Sequence, residues 1–186
     1  MITPETITKI LTPDECSALI NEIKSNYILK EGGVVGKQKM NKTTKFRKSS
    51  ITFVPELPKI SKILEKIILE KVQQIGCEIP KFNPYQFTEY KQNEFYNWHT
   101  DTDDKTYRNR HISIVIELNN GYCGGNLEII DSNNNLIKCE NEIGNLHIFP
   151  SYLRHRVTEV TDGTRYSLVN WITLGKVKNK ENVCLI

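Results

Sequence analysis

Two stretches of this chain repeat apolar residues every three or four positions, and both precede Pro80. In the first, Leu19, Ile20, Ile23 and Tyr27 follow Thr12-Pro13-Asp14-Glu15. That opening supplies an N-cap residue, a proline at the first helical position and acids in the first turn, so a helix is predicted over about residues 12–30. In the second, Ile60, Ile63, Leu64, Ile67, Ile68 and Val72 form a stripe that predicts a helix over about 58–75. Between them, residues 31–50 are rich in glycine, lysine and threonine and carry Lys37, Lys39, Lys42, Lys45, Arg47 and Lys48. Such a basic run reads as a solvated loop, with a clamp over an anionic ligand as the alternative.

After Pro80 the period changes. FNPYQFTEY, HISIVIEL, NLEII, LHIFP, RHRVTEV and YSLVNWITL are short apolar runs separated by turn signals such as Asn120-Gly121, Gly124-Gly125 and Asp162-Gly163. No helix-length segment intervenes. The pattern predicts a mostly β chain, an antiparallel sandwich or barrel over about 80–175, behind two N-terminal helices and within one domain spanning 1–186.

Composition narrows the class. At 186 residues, 38% hydrophobic and 25% charged, the chain is an ordinary globular protein with room for one sizeable core. A formal net charge of +3 is too slight to demand a polyanionic partner. Five scattered cysteines without a Cys-x-x-Cys pair suit reduced thiols, so a cytoplasmic location is expected. No leader segment and no membrane span is expected. Oligomeric state leaves no mark in the sequence.

The chemistry concentrates in NWHTDTDD, residues 97–104. If residues 95–101 are extended, alternation puts His99 and Asp101 on one face, about 6–7 Å apart, a suitable bite for one metal ion. A third ligand must come from His111, His147 or His155. His111 starts an apolar strand and reads as packed or hydrogen-bonded there, and His147 sits inside another strand. His155 follows the turn Phe149-Pro150-Ser151-Tyr152 and could project from a strand end. Two histidines and one carboxylate with open positions form the facial triad of non-haem Fe(II) oxygenases. Asp103 and Asp104 read as solvated turn residues, since an EF-hand's glycine and distal glutamate are lacking.

Arg165 fits the same picture. Residues 155–160 and 164–171 are expected to form a hairpin whose three-residue loop has Gly163 in the left-handed region, pairing His155 with Val169. His155, Val157, Arg165, Ser167, Val169 and Trp171 would then face inward, with Arg165 roughly 13 Å from His155 along the ladder. An extended guanidinium reaches about half of that, which leaves room for a small dicarboxylate held in a planar fork, with the Ser167 hydroxyl beside it. Phe95 and Trp171 read as core, Tyr96 and Trp98 as core or cavity mouth, Arg47 and Arg110 as solvated strand-end residues with contact to substrate or cosubstrate as the alternative, and Cys123 as a small buried filler.

The run Tyr90-Lys-Gln-Asn-Glu-Phe95-Tyr96-Asn-Trp98-His99-Thr-Asp101 resembles the Y-x-x-G-x-F-Y-x-x-H-x-D signature of 2-oxoglutarate- and Fe(II)-dependent dioxygenases of the prolyl-4-hydroxylase-like branch. Gly121-Tyr-Cys-Gly124-Gly125-Asn-Leu127 is similar to that family's Y-x-G-G-x-L segment. Gly144-Asn-Leu-His-Ile-Phe149-Pro150-Ser151 and His155-Arg-Val-Thr-Glu-Val-Thr-Asp-Gly163-Thr-Arg165 resemble its G-x-L-x-x-F-P-S…H-x-V-x-x-V-x-x-G-x-R segment. Lys45-Phe-Arg47-Lys-Ser49-Ser50 looks like an upstream strand of bacterial and phage members. Asn93 stands where the family usually has glycine, and Asn126 where glutamate is common.

The resemblance implies a double-stranded β-helix in which His99, Asp101 and His155 hold iron. It also implies that Arg165 pairs with the distal carboxylate of 2-oxoglutarate and that Tyr90 hydrogen-bonds this cosubstrate, Ser167 lying beside them. The implied reaction consumes O2, converts 2-oxoglutarate to succinate and CO2, and hydroxylates a peptidyl side chain (proline is one candidate) or a small molecule, with ascorbate as a reductant. A carboxylate at position 101 favours hydroxylation over halogenation. Trp171 stands where nucleic-acid demethylases carry a second arginine, which counts against a nucleic-acid substrate. The alternative is a jelly roll that binds metal without catalysis, as lectins and some cupins do, and a third reading is a metal-dependent isomerase or hydrolase on the same barrel. Residues 37–48 and about 100–110 are expected to cover the mouth.

Overall fold

The structure, a computed structural model, describes residues 2–33, 43–74, 81–102 and 109–174. Its elements begin with strand β1 (Glu5–Ile7), helix α1 (Pro13–Asn26), β2 (Lys30–Glu31), the single turn α2 (Thr43–Phe46), β3 (Arg47–Lys48), β4 (Ser50–Val54) and helix α3 (Pro58–Gln74). Strands follow: β5 (Lys81–Phe82), β6 (Tyr85–Tyr90), β7 (Phe95–His99), β8 (Ile112–Glu117), β9 (Cys123–Gly124), β10 (Leu127–Ile130) and β11 (Leu136–Lys138). The last are β12 (Leu146–Pro150), β13 (His155–Val157), β14 (Val160–Asp162) and β15 (Arg165–Thr173).

The capping signal at Thr12 acts as the sequence indicates. The Thr12 hydroxyl accepts from the Glu15 amide at 3.3 Å, and the Glu15 carboxylate accepts from the Thr12 amide at 2.8 Å. The helix stops four residues short of the expected end, because Tyr27 turns extended (φ −131°, ψ 141°) and the chain continues into β2.

The strands form two antiparallel sheets. The large one runs β1-β12-β8-β15-β6-β4-β2, with β5 also on β15; the small one runs β11-β10-β13-β7-β3. A further pair joins β9 and β14. The two sheets face each other as a double-stranded β-helix, within the sandwich-or-barrel class that the turn-punctuated pattern predicts and as the resemblance implies. Alternation sorts the side chains of the large sheet. Ile112, Ile114 and Ile116 of β8, with Leu146, Ile148, Leu168 and Ile172, pack outward against Leu19 and Ile23 of α1 and Leu64 and Ile68 of α3. The other face of the same strands looks into the roll. Leu64 is fully buried in that helix-to-sheet core, so Leu64→Ala is expected to lower unfolding free energy by about 2–5 kcal/mol. Chemical denaturation with an unchanged m-value would read this; a loss below ~1 kcal/mol would mean that the helices do not pack this way.

The expected hairpin between residues 155–160 and 164–171 is not formed. β13 pairs with β7 and β10 in the small sheet, whereas β15 pairs with β6, β8 and β5 in the large one. The chain crosses between sheets at the turn where Gly163 takes φ +77°, so the left-handed glycine is present and joins opposing layers instead of adjacent rungs. Asn93 has φ +63°, a region that glycine enters freely and asparagine better than most residues, which explains both the family's preference and this departure.

Cys123 is exposed, contrary to its reading as buried filler, because β9 is a two-residue strand at the rim. Burial pushes the Cys139 thiol up to about 12 and the Cys16 thiol up to about 11. Iodoacetamide at pH 8 is therefore expected to alkylate Cys123 and spare Cys16 and Cys139 in the native protein, read by peptide mass. Equal labelling of Cys139 would contradict the packing. Among the described residues, no helix is long and apolar enough to cross a membrane.

Candidate functional site

His99 and His155 are directly opposed residues of the neighbouring strands β7 and β13. Cross-strand partners share a face, and the two rings lie with centroids 4.2 Å apart. Each ring is fixed by the same device. Nδ1 of His99 lies 2.8 Å from the Asn97 carbonyl oxygen, and Nδ1 of His155 lies 2.9 Å from that of Leu153. A carbonyl can only accept, so Nδ1 carries the proton and donates, leaving Nε2 of each ring with its lone pair free. Both Nε2 atoms point at Asp101: that of His99 lies 3.8 Å from Oδ1 and that of His155 3.3 Å from Oδ2.

Asp101 follows β7 and is tied across the roll. Its amide donates to the Ser151 carbonyl at 2.9 Å, and Ser113 donates its hydroxyl to Oδ2 at 2.7 Å while pairing with the Ser151 hydroxyl at 2.8 Å. Burial, then the neighbouring His155, push His99 down to about 3, so its imidazole is neutral near pH 7. Burial alone would resist ionisation of Asp101, but His155 at close range, aided by His99 and the hydrogen bond from Ser113, holds its carboxyl below the usual range. The same contact raises His155 against the effect of burial. One ligand atom from each residue lies within 4.8 Å of the others. Two neutral-capable imidazole nitrogens and one carboxylate oxygen, converging with open positions beside them, fit a divalent first-row metal.

The triad faces a cavity of about 330 Å³. Arg165, on the opposing large sheet, lines it together with Tyr90, Ser167 and Trp171. Arg165 is fully buried. Its Nη2 donates to Glu117 Oε1 at 2.6 Å and its Nη1 to Ser167 Oγ at 3.2 Å, while Nε is buried without a hydrogen-bond partner. Burial would disfavour the charge, but the Glu117 carboxylate overrides it and raises Arg165 above its ordinary value. An orphaned guanidinium N–H at the inner end of a cavity is what a ligand carboxylate would satisfy, so the residues fit a keto diacid as well as a metal. Tyr90 is the cross-strand neighbour of Arg165, its ring centroid 5.5 Å from the guanidinium carbon. Burial raises the Tyr90 phenol, opposed by Arg47 and Arg165, so it stays a protonated donor.

The six residues read from the sequence as one inward-facing set, His155, Val157, Arg165, Ser167, Val169 and Trp171, all line the cavity, though from two sheets and not along one hairpin. Several readings change. Arg47 is buried at 4% exposure instead of solvated: its Nε donates to Ser49 Oγ at 2.7 Å, and its guanidinium sits 4.5 Å from the Tyr96 ring centroid. Arg110 also lines the cavity, stacked 3.6 Å from the Trp171 ring centroid, so Trp171 belongs to the cavity wall as well as the core. Phe95 is only half-buried. Tyr96 lines the cavity and stacks on His99, with centroids 3.5 Å apart, whereas Trp98 lies against Arg156 at 4.7 Å. His111 Nδ1 accepts from the Leu174 amide at 3.0 Å, and His147 Nδ1 shares a hydrogen bond with Thr6 Oγ1 at 2.9 Å, so each has a partner away from the triad. Asp103, Asp104 and most of the expected covering segments fall outside the described residues.

Two contributors escape a reading of motifs, Glu117 and Ser113. The signal was present: in Ile112-Ser113-Ile114-Val115-Ile116-Glu117, alternation sets Ser113 and Glu117 on the face opposite the isoleucines.

Residues 85–173 match the profile of the 2OG-Fe(II) oxygenase superfamily. A PKHD-type hydroxylase of Psychrobacter sp. (strain PRwf-1) is 31% identical over 123 residues, covering 59% of this chain and 47% of that protein. Another, of Prochlorococcus marinus (strain MIT 9312), is 28% identical over 172 residues, covering 88% and 75%. The chain spans about half the length of most of the curated relatives it matches. Among solved structures, a Pseudomonas putida prolyl-4-hydroxylase superposes with a TM-score of 0.72 at 22% identity over 91% of both chains. The viral collagen prolyl hydroxylase of Paramecium Bursaria Chlorella virus-1, in its 2OG complex, gives 0.67 at 21% identity over 94% of this chain and 97% of that one. A Trichoplax adhaerens prolyl hydroxylase, in complex with a hypoxia inducible factor peptide fragment, gives 0.70 at 17% identity over 91% and 83%. These likenesses establish the fold, which the chain shares with solved prolyl hydroxylases, and over residues 85–173 the chain is similar to the 2OG-Fe(II) oxygenase superfamily.

Proposed function

We propose that this chain, acting as one domain, is an Fe(II)- and 2-oxoglutarate-dependent dioxygenase that hydroxylates a peptidyl side chain, proline among the candidates, or a small molecule. The observation that carries this reading is the convergence of His99 Nε2, Asp101 and His155 Nε2 on one wall of a cavity whose inner end holds the buried Arg165. Iron(II), when bound, supplies the coordination of keto acid and O2 and the electron transfer that side chains cannot perform. The chain's residues supply the rest. His99, Asp101 and His155 hold the metal on one face. Arg165 takes the distal carboxylate of 2-oxoglutarate through its free Nε and the adjoining edge, with Tyr90 and Ser167 as neighbouring hydroxyls. Val115, Leu127 and Val169 line the cavity between, and their apolar surface excludes water.

Trp171, standing where nucleic-acid demethylases carry a second arginine, and the peptide held by the Trichoplax structural neighbour support a peptidyl substrate over a nucleic acid. Ascorbate is the reductant expected to sustain turnover, and a cytoplasmic setting suits the unpaired thiols.

The test begins without oxygen. Purified protein given Fe(II) and 2-oxoglutarate is expected to develop a weak visible charge-transfer band. Admission of O2 with proline-containing peptides should then yield succinate. Protein that binds metal but shows neither band nor succinate would be a non-catalytic metal-binding jelly roll, and this reading would be withdrawn.

A further inference from the structure

We propose that Glu117 is a positioning residue for the cosubstrate: it holds the Arg165 guanidinium from the side away from the cavity, so that Nε and the Nη1 edge stay aimed at an incoming carboxylate. The inference rests on the reading above that Arg165 receives the distal carboxylate of 2-oxoglutarate.

Four observations carry it. Glu117 and Arg165 are both fully buried, and their contact is a single short ion pair from Nη2 to Oε1 at 2.6 Å. Arg165, Ser167 and Tyr90 line the cavity, whereas Glu117 is not among the described residues that do. The acid therefore approaches from behind. Glu117 is itself held: Tyr122 donates its hydroxyl to Oε2 at 3.3 Å. The His147 ring beyond it, with Nε2 at 3.9 Å from Oε1, is anchored through Nδ1 to Thr6 of the edge strand β1. Finally, the guanidinium donors split cleanly. Nη2 is used on Glu117, Nη1 on the hydroxyl of Ser167, itself a cavity-lining residue, and Nε has no hydrogen-bond partner, so the acid occupies one corner of the guanidinium and leaves donor capacity for a ligand.

An arginine side chain has four rotatable bonds, and a buried cation with one fixed partner keeps one rotamer. Without Glu117 the guanidinium is free to turn toward other acceptors, and a carboxylate must order it on arrival. The pair is also close to neutral, so selection of a diacid depends on where the donors point more than on net positive potential. An acid beside an anion site lowers affinity if it competes for the same donors and raises it if it only aims them. The two roles predict opposite signs.

The experiment measures binding to protein loaded with Zn(II), a metal that supports no turnover, by calorimetry. The probes are 2-oxoglutarate and 2-oxopentanoate, which has the same keto acid head but no distal carboxylate. Glu117→Gln, which keeps the shape and removes the charge, is expected to weaken 2-oxoglutarate by about tenfold, the loss of one charge-assisted contact, and to change 2-oxopentanoate by less than about twofold. Tyr122→Phe, which removes a hydroxyl that contacts both Glu117 and Arg165, should shift 2-oxoglutarate in the same direction by about two- to threefold. Equal weakening of both probes would mean that Glu117 only supports packing. Unchanged or tighter 2-oxoglutarate binding in Glu117→Gln would make it a bystander or a competitor. Each of those results overturns the inference alone. Wild-type protein that takes up Zn(II) yet binds no 2-oxoglutarate would remove the parent reading, and this one with it.

Discussion

Arg165→Ala is expected to weaken 2-oxoglutarate binding by on the order of a hundredfold or more, while uptake of a divalent metal stays within a few-fold of wild type. The variant removes the buried guanidinium from the inner end of the cavity but leaves the small-sheet ligands untouched. Stability falls as well, by about 3–5 kcal/mol, because Glu117 is left as an unpaired buried charge. The two losses separate in a double variant. Arg165→Met with Glu117→Leu restores most of the stability, since an apolar pair of similar volume fills the site, and restores none of the binding. Calorimetric titration with 2-oxoglutarate, alongside denaturant unfolding of all three proteins, checks both parts. Tight binding by Arg165→Ala would place the cosubstrate elsewhere.

The second large effect concerns the metal. Asp101→Ala removes the only anionic donor of the triad, and the affinity of the apo-protein for Mn(II) or Fe(II) is expected to drop by well over a hundredfold. Ser113→Ala, which leaves the carboxylate in place and removes the hydroxyl donating to Oδ2, should cost about 10–100-fold. The ordering of the two, read by anaerobic metal titration, distinguishes ligation from orientation. Metal affinity unchanged by Asp101→Ala would mean that the cation binds at another place.

Much of this was legible in the chain. The period-3.6 stripes gave α1 and α3, because a helix on a sheet must present one apolar face whatever its neighbours are. His99, Asp101, His155 and Arg165 do line one cavity, though Arg165 reaches it from the opposing sheet and not along the expected hairpin. Which strands pair was not legible. The turn at Asp162-Gly163 is compatible with a hairpin and with a crossing between sheets; the choice is made by contacts from β6, β8 and β10, which lie far away in sequence. Arg47 misled for a related reason. Five of the six basic residues in its segment are lysines, which suggests solvent, yet its own partners are Ser49, the Gly33 carbonyl and the Tyr96 ring. Glu117 was missed because an acid ending an apolar strand ordinarily marks the strand's exit to water. Here the strand ends inside the roll.

The candidate metal ligands His99 and His155 lie on the small sheet and the candidate anion anchor Arg165 on the large one, so a diacid bridging them would be gripped by opposite walls. The spacing between those walls works as a ruler. A homologue of the diacid one methylene shorter or longer can satisfy one grip only, and the helices packed behind the large sheet, though remote from the chemistry, help to set the gauge.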